Sequence, residues 1–248
     1  MKNGVTLHSK IIAFTGLSLM IVVAWIYLMM MAGHSMPANN MGSASHYSVG
    51  LLVSMWVAMS IAMMLPTAVP MISAYMEICQ TAATKSIATV SPLVLIAGYL
   101  SVWLAFAISA AIAQVGFLQL LVLYPVPPAT GQAGISLLVT AVGVYQFTGL
   151  KQACLTKCRA PLNFFFANWS DNPRNIFQLG VKQGVFCLGC CWALMLLMFV
   201  TGIMDILWMV ALTVLMVAEK TIPSPDILRR ITGFALIAWG ATLAVELL

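Results

Sequence analysis

The chain is poor in charge. Eleven residues are Lys or Arg and six are Asp or Glu, 7% of the 248, where a soluble domain of this size carries roughly a quarter. That scarcity excludes an ordinary soluble fold, because 62% hydrophobic residues cannot all be kept from water by one domain's own packing. The formal charge of +5 is too dispersed to make a nucleic-acid stripe, so nucleic acid is set aside as a partner. Catalytic signatures are also missing. There is no phosphate-cradling glycine loop, no HExxH and no serine nucleophile motif. No carboxylate falls deep in an apolar run, which argues against proton-coupled transport. The chain also lacks the cytoplasmic domains of an ATP-driven pump.

What is present is apolar sequence in continuous blocks, with a mean hydropathy of +1.02. Continuous blocks fit α-helices, whereas the strands of a membrane barrel alternate apolar and polar positions. A span needs about 20 apolar residues. Seven stretches meet or approach that length, at 11–31, 49–75, 93–115, 135–150, 180–200, 203–217 and 231–247. The expectation is an all-α, polytopic transmembrane bundle whose solvent is the lipid bilayer. No linker or composition shift divides residues 1–248, which read as a single integral membrane domain. The first run is longer than the apolar part of a signal peptide and reads as a retained helix.

Placing the N-terminus in the cytoplasm and the C-terminus outside puts all the cations on one side. These are Lys2, Lys10, Lys85, Lys151, Lys157, Arg159, Arg174, Lys182, Lys220, Arg229 and Arg230. That is the asymmetry expected of inside-facing loops. Glu219-Lys220 reads as an interfacial pair.

The six cysteines, Cys79, Cys154, Cys158, Cys187, Cys190 and Cys191, all fall in the cytoplasmic half on this topology. Thiols facing a reducing compartment point to metal binding or redox chemistry rather than structural disulfides. Cys154 and Cys158 are i,i+4, and Cys187, Cys190 and Cys191 are i,i+3,i+4, so each set shares a helix face. Opposed, the two faces offer thiolates to a soft ion: Cu(I), with zinc or an iron–sulfur cluster as alternatives. Lys151, Lys157, Arg159 and Lys182 are the cations nearest in sequence to offset thiolate charge. On this topology Cys187 lies shallow, within reach of a cytoplasmic partner. Cys79 stands apart and reads as packing.

Methionine is abundant, 18 residues. Met55, Met59 and Met63 recur every four residues, and thioethers are Cu(I) ligands, so Met59 and Met63 are candidate secondary sites on a path to the thiols. Packing alone would explain the same stripe. His34, Met36, Met41 and His46 form a second sulfur-and-imidazole group in the first outer loop. Pro66 and Pro70 in one span predict a kink.

Several blocks carry a family resemblance. They are Met55-Trp56 with Met59, Met63-Met64 and Pro66; Gly98-Tyr99 with Trp103; Tyr145-Gln146 through Lys151 to Cys154, Cys158-Arg159 and Pro161; and Gly180, Gly184, Cys187, Gly189-Cys190-Cys191-Trp192 and Met195. Together they resemble an uncharacterised bacterial family of predicted metal-binding integral membrane proteins, a domain of unknown function with members labelled copper-chaperone-like. The resemblance runs from about residue 50 to 220. It implies metal handling at a bacterial inner (plasma) membrane, and no established reaction. The leading expectation is therefore a membrane protein that binds Cu(I) at Cys154, Cys158, Cys187, Cys190 and Cys191. It would transfer the ion or serve assembly of a copper enzyme. The alternatives are an accessory structural subunit of a larger membrane complex and a membrane thiol redox protein using Cys187-Leu-Gly-Cys190.

Overall fold

Helix ends in this chain are set by local signals that hydropathy does not contain. Ser91 caps Leu93 N ahead of Pro92, and Asn172 caps Arg174 N ahead of Pro173. Asp205 accepts from the amides of Leu207 and Trp208, and Thr148 from that of Lys151. Each cap satisfies amides that a helix N-terminus leaves without an internal partner. The computed structural model describes residues 2–34, 49–85, 89–124, 127–160, 165, 172–201, 205–222 and 225–246. It is all-α, with no strand among the described residues.

The helices are α1 (Lys2–His34), α2 (Val49–Thr84), α3 (Pro92–Leu123), α4 (Pro128–Tyr145) and α5 (Gly149–Arg159). They continue with α6 (Pro173–Leu196), the single turn α7 (Met198–Thr201), α8 (Ile206–Thr221) and α9 (Pro225–Val245). Five segments are long and apolar enough to cross a membrane: Phe14–Ala32, Val49–Ala83, Pro92–Leu121, Pro173–Leu196 and Asp226–Val245. A sixth crossing results if Thr130–Tyr145 and Gly149–Arg159, bent by 57°, form one broken span. The expected stretch 203–217 corresponds to α8, whose 16 residues reach about 24 Å, short of a hydrocarbon core of about 30 Å.

α6 starts seven residues before the expected 180, at the Asn172–Pro173 cap. The polar residues Arg174, Asn175, Gln178, Lys182 and Gln183 lower the hydropathy of this turn region but do not stop a helix. Cys187 is therefore well inside α6 and 2% exposed.

Glycines fix how the inner helices cross. A Cβ at Gly98 would lie 2.2 Å from the Phe177 carbonyl oxygen, and one at Gly180 would lie 2.2 Å from that of Leu95. Only bare backbone permits that approach of α3 to α6. Gly184 abuts Val102 and Tyr99 O, so the two helices run side by side in the same sense. α2 runs against them: Trp56 Nε1 donates to Gln114 Oε1 at 2.7 Å, and Tyr75 OH to Val90 O at 3.0 Å. α4 and α9 form a second tight pair, with Gly143 and Gly240 at the contact and Ser136 Oγ donating to Gly240 O at 2.8 Å.

α2 stays helical through Pro66 and Pro70. Around this interior the outer faces are apolar and exposed, among them Ile12, Leu19, Val23, Leu104, Ile112 and Leu120. Surfaces of that kind suit lipid rather than water.

Candidate metal centre

Cys187 is the centre of a buried polar cluster contributed by four helices. Its Sγ lies 3.1 Å from Tyr99 OH on α3, 3.0 Å from Lys220 Nζ on α8 and 4.0 Å from Thr67 Oγ1 on α2. Lys220 Nζ also donates to Thr67 Oγ1 at 2.8 Å. Thr67 Oγ1 and Tyr99 OH both donate to Met64 O, at 2.8 and 3.2 Å. None of these side chains is more than 9% exposed.

The remaining seam thiols lie along α5 and α6. Cys190 Sγ donates to Cys187 O at 3.1 Å and lies 3.2 Å from Cys191 Sγ. α5 packs along α6, with Gln183 Nε2 donating to Lys157 O at 3.4 Å. Gly189 makes room for Cys154, whose Sγ sits 2.7 Å from where a Cβ would stand. α5 and α6 thus bring Cys154 beside Gly189 and set Cys190 against Cys191 along one seam. Cys187 turns from that seam towards Lys220. Cys187, Cys190 and Cys191 are 1–2% exposed, while Cys154 and Cys158 are half-buried. Cys79 is elsewhere, its Sγ 3.9 Å from Val90 O.

Among the described residues, no three Cys, His, Asp or Glu side chains are grouped to hold an ion as they stand. Two sulfurs on a tetrahedral ion with bonds of about 2.3 Å are roughly 3.8 Å apart, so the Cys190 and Cys191 sulfurs, at 3.2 Å, would separate by about half an ångström.

Met59 and Met63 are fully buried. Met63 is one turn, and Met59 two turns, before Thr67 on α2. His34 ends α1, and Met36, Met41 and His46 lie outside the described residues.

The cations are distributed differently from the sequence expectation. Lys151 is 0% exposed and pairs with Glu219 Oε2 at 2.8 Å, with Gln146 Oε1 as a further acceptor. Lys157 lies over the Phe186 ring, 4.4 Å from its centroid. Arg159 donates to Ile222 O, and Lys182 is exposed. Lys220, expected in an interfacial pair with Glu219, is a cation hydrogen-bonded to a thiol, while Lys157 stays near Cys154. Chain neighbours on a helix point about 100° apart, so Glu219 reaches α5 while Lys220 reaches α6. Buried Lys and Glu side by side in the sequence were the available signal.

The PpoB2 family, described as a copper chaperone, matches the chain over residues 53–243. No curated protein and no solved structure matches it. The family's description names copper; neither zinc nor an iron–sulfur cluster has a supporting observation.

Proposed function

The chain belongs to the copper chaperone family, and from that premise we propose that it is an integral membrane protein that carries Cu(I) on the thiols of the α5–α6 seam. Cys187, Cys190 and Cys191 hold the ion, and Cys158 and Cys154 at the half-buried edge receive or release it. The observation that carries this reading is the burial of Cys187 against Lys220. A thiolate ligand in a low-dielectric interior needs a compensating charge, and an ammonium 3.0 Å away supplies it. Cu(I) is the ion that sulfur ligands of this kind select. The partner is a protein that supplies or accepts copper, including a copper enzyme under assembly.

The proposed topology is seven crossings in a bacterial inner membrane, N-terminus inside and C-terminus outside, with the α4–α5 pair and α8 as the two short crossings. Its support is the single-ended distribution of cations and the way those ends meet. Arg159 bonds Ile222 O, and Arg229 bonds Gln146 O at 2.8 Å.

A thiol redox role is disfavoured by the same geometry. At 1–2% exposure, Cys187 and Cys190 offer a disulfide substrate no approach.

The test is the metal content of full-length protein purified anaerobically in detergent, as wild type and as C187S/C190S/C191S. We expect copper in the first and its loss from the thiol class in the second. Equal metal in both would overturn the proposal.

A further inference from the structure

Two buried polar atoms near the thiols are unpaired, and one of them is a hydroxyl oxygen able to face a cation. Ser60 Oγ and Trp103 Nε1 have no hydrogen-bond partner among the described residues. Ser60 is 2% and Trp103 1% exposed, and buried donors of this kind are costly to leave unmade. Ser60 is seven residues before Thr67 on α2, hence on the same face, about 10 Å away along the helix. Trp103 is one turn beyond Tyr99 on α3. α3 and α6 run in the same sense and α2 runs against them, so both positions lie on one side of the Cys187 cluster. That side is the direction α6 takes from Cys187 to Cys191.

Sulfur is concentrated in the same direction. α8 returns antiparallel to α6 and is joined to Cys187 through Lys220. Met216, one turn before Lys220, is therefore level with Cys191, one turn after Cys187. Met209 is level with Met198, each eleven residues from the Lys220–Cys187 contact. On α2, Met63 is one turn from Thr67 at the level of Met216. All of these side chains are buried, at 0–1% exposed.

We propose that the interior between α2, α3, α6 and α8, one to two turns from Cys187 towards Met198, holds a second Cu(I) site. Met63 and Met216 supply its thioether ligands, and the Ser60 hydroxyl oxygen faces it. A thioether carries no charge, so this site binds the ion more weakly than the thiols and can pass it to Cys191 by ligand exchange, with no change of oxidation state. The proposal rests on the copper reading above, and adds a resting place before the thiolates.

The experiment is an anaerobic Cu(I) titration of the full-length protein against a chromophoric Cu(I) chelator. It compares wild type, M63L/M216L, S60A and C187S/C190S/C191S. Leucine for methionine conserves volume and is well tolerated in cores. We expect M63L/M216L to lose one equivalent of weaker capacity and keep the tight, thiol-dependent one. The cysteine variant should lose the tight class and keep the weaker. Unchanged capacity in M63L/M216L overturns the second site and leaves the thiol reading standing. Unchanged capacity in the cysteine variant overturns the thiol reading instead. Should M63L/M216L fail to fold, S60A decides. Weaker binding of the second ion by several fold supports the site, whereas an unchanged titration overturns it.

Discussion

Glu219 and Lys220 adjoin on α8 and belong to two buried polar clusters of different kinds. On Glu219's side, Lys151 and Glu219 form an ion pair at 2.8 Å, with Gln146 and Arg229 continuing the network to α9. Opposite charges are matched there, and the cluster ties α5, α8 and the start of α9 together. On Lys220's side no carboxylate is paired with the ammonium among the described residues. Its acceptors are a sulfur and a hydroxyl. A buried cation whose nearest anion-forming group is a thiol gains its counter-charge only through that thiol's chemistry. One cluster is complete as architecture; the other is arranged for a ligand.

The contrast can be broken most severely at the ion pair. E219A leaves Lys151 buried without its partner, and we expect a loss of about 3–5 kcal/mol in denaturant unfolding of the detergent-solubilised protein. The double variant K151M/E219M should recover most of it. A single-variant loss below about 1 kcal/mol would mean that the pair is solvated.

G180A comes next. Its Cβ would meet the Leu95 carbonyl oxygen at 2.2 Å, backbone against backbone, so α3 and α6 must part. The expected cost is about 1–3 kcal/mol, together with a loss of copper as Tyr99 is drawn away from Cys187. A wild-type melting midpoint with full copper content would refute the crossing.

K220M is the sharpest comparison with E219A. It removes a buried charge and nearly conserves volume, so unfolding should change by less than about 1.5 kcal/mol, while copper retention falls. Destabilisation as large as that of E219A would make the two clusters equivalent and remove the distinction. The smallest effect is expected from C79A, because Cys79 is apart from the seam. Copper per protein should equal that of wild type, and a measurable loss would extend the site to α2's far end.

Much of the helical framework was legible from apolar runs and caps. The cysteine spacings placed the thiols on α5 and α6, but not the turn of Cys187 towards Lys220. The start of α6 was misplaced because hydropathy falls over 174–183, while the Asn172–Pro173 cap and helical hydrogen bonding do not depend on hydropathy. That error of two turns placed Cys187 near the start of α6, whereas it lies well inside it. The role of Lys220 was hidden for another reason. The cations nearest the cysteines in sequence are on α5 and α6, and one of them, Lys151, is taken by Glu219. The unpaired Ser60 and Trp103 leave no trace in a linear pattern, since both residue types are common in apolar helices.

By itself, the amino-acid order determined the all-α character, the placing of thiols on α5 and α6 and the thioether-rich stripe. Those are properties of composition and of a 3.6-residue repeat, and they act within one helix. Tertiary structure alone decided which cation meets which thiol. Lys220 and Cys187 are 33 residues apart, Lys151 and Glu219 68, and Thr67 and Lys220 153. Contacts over such separations depend on how whole helices cross, and here that crossing is set by two glycines that let α3 and α6 meet backbone to backbone.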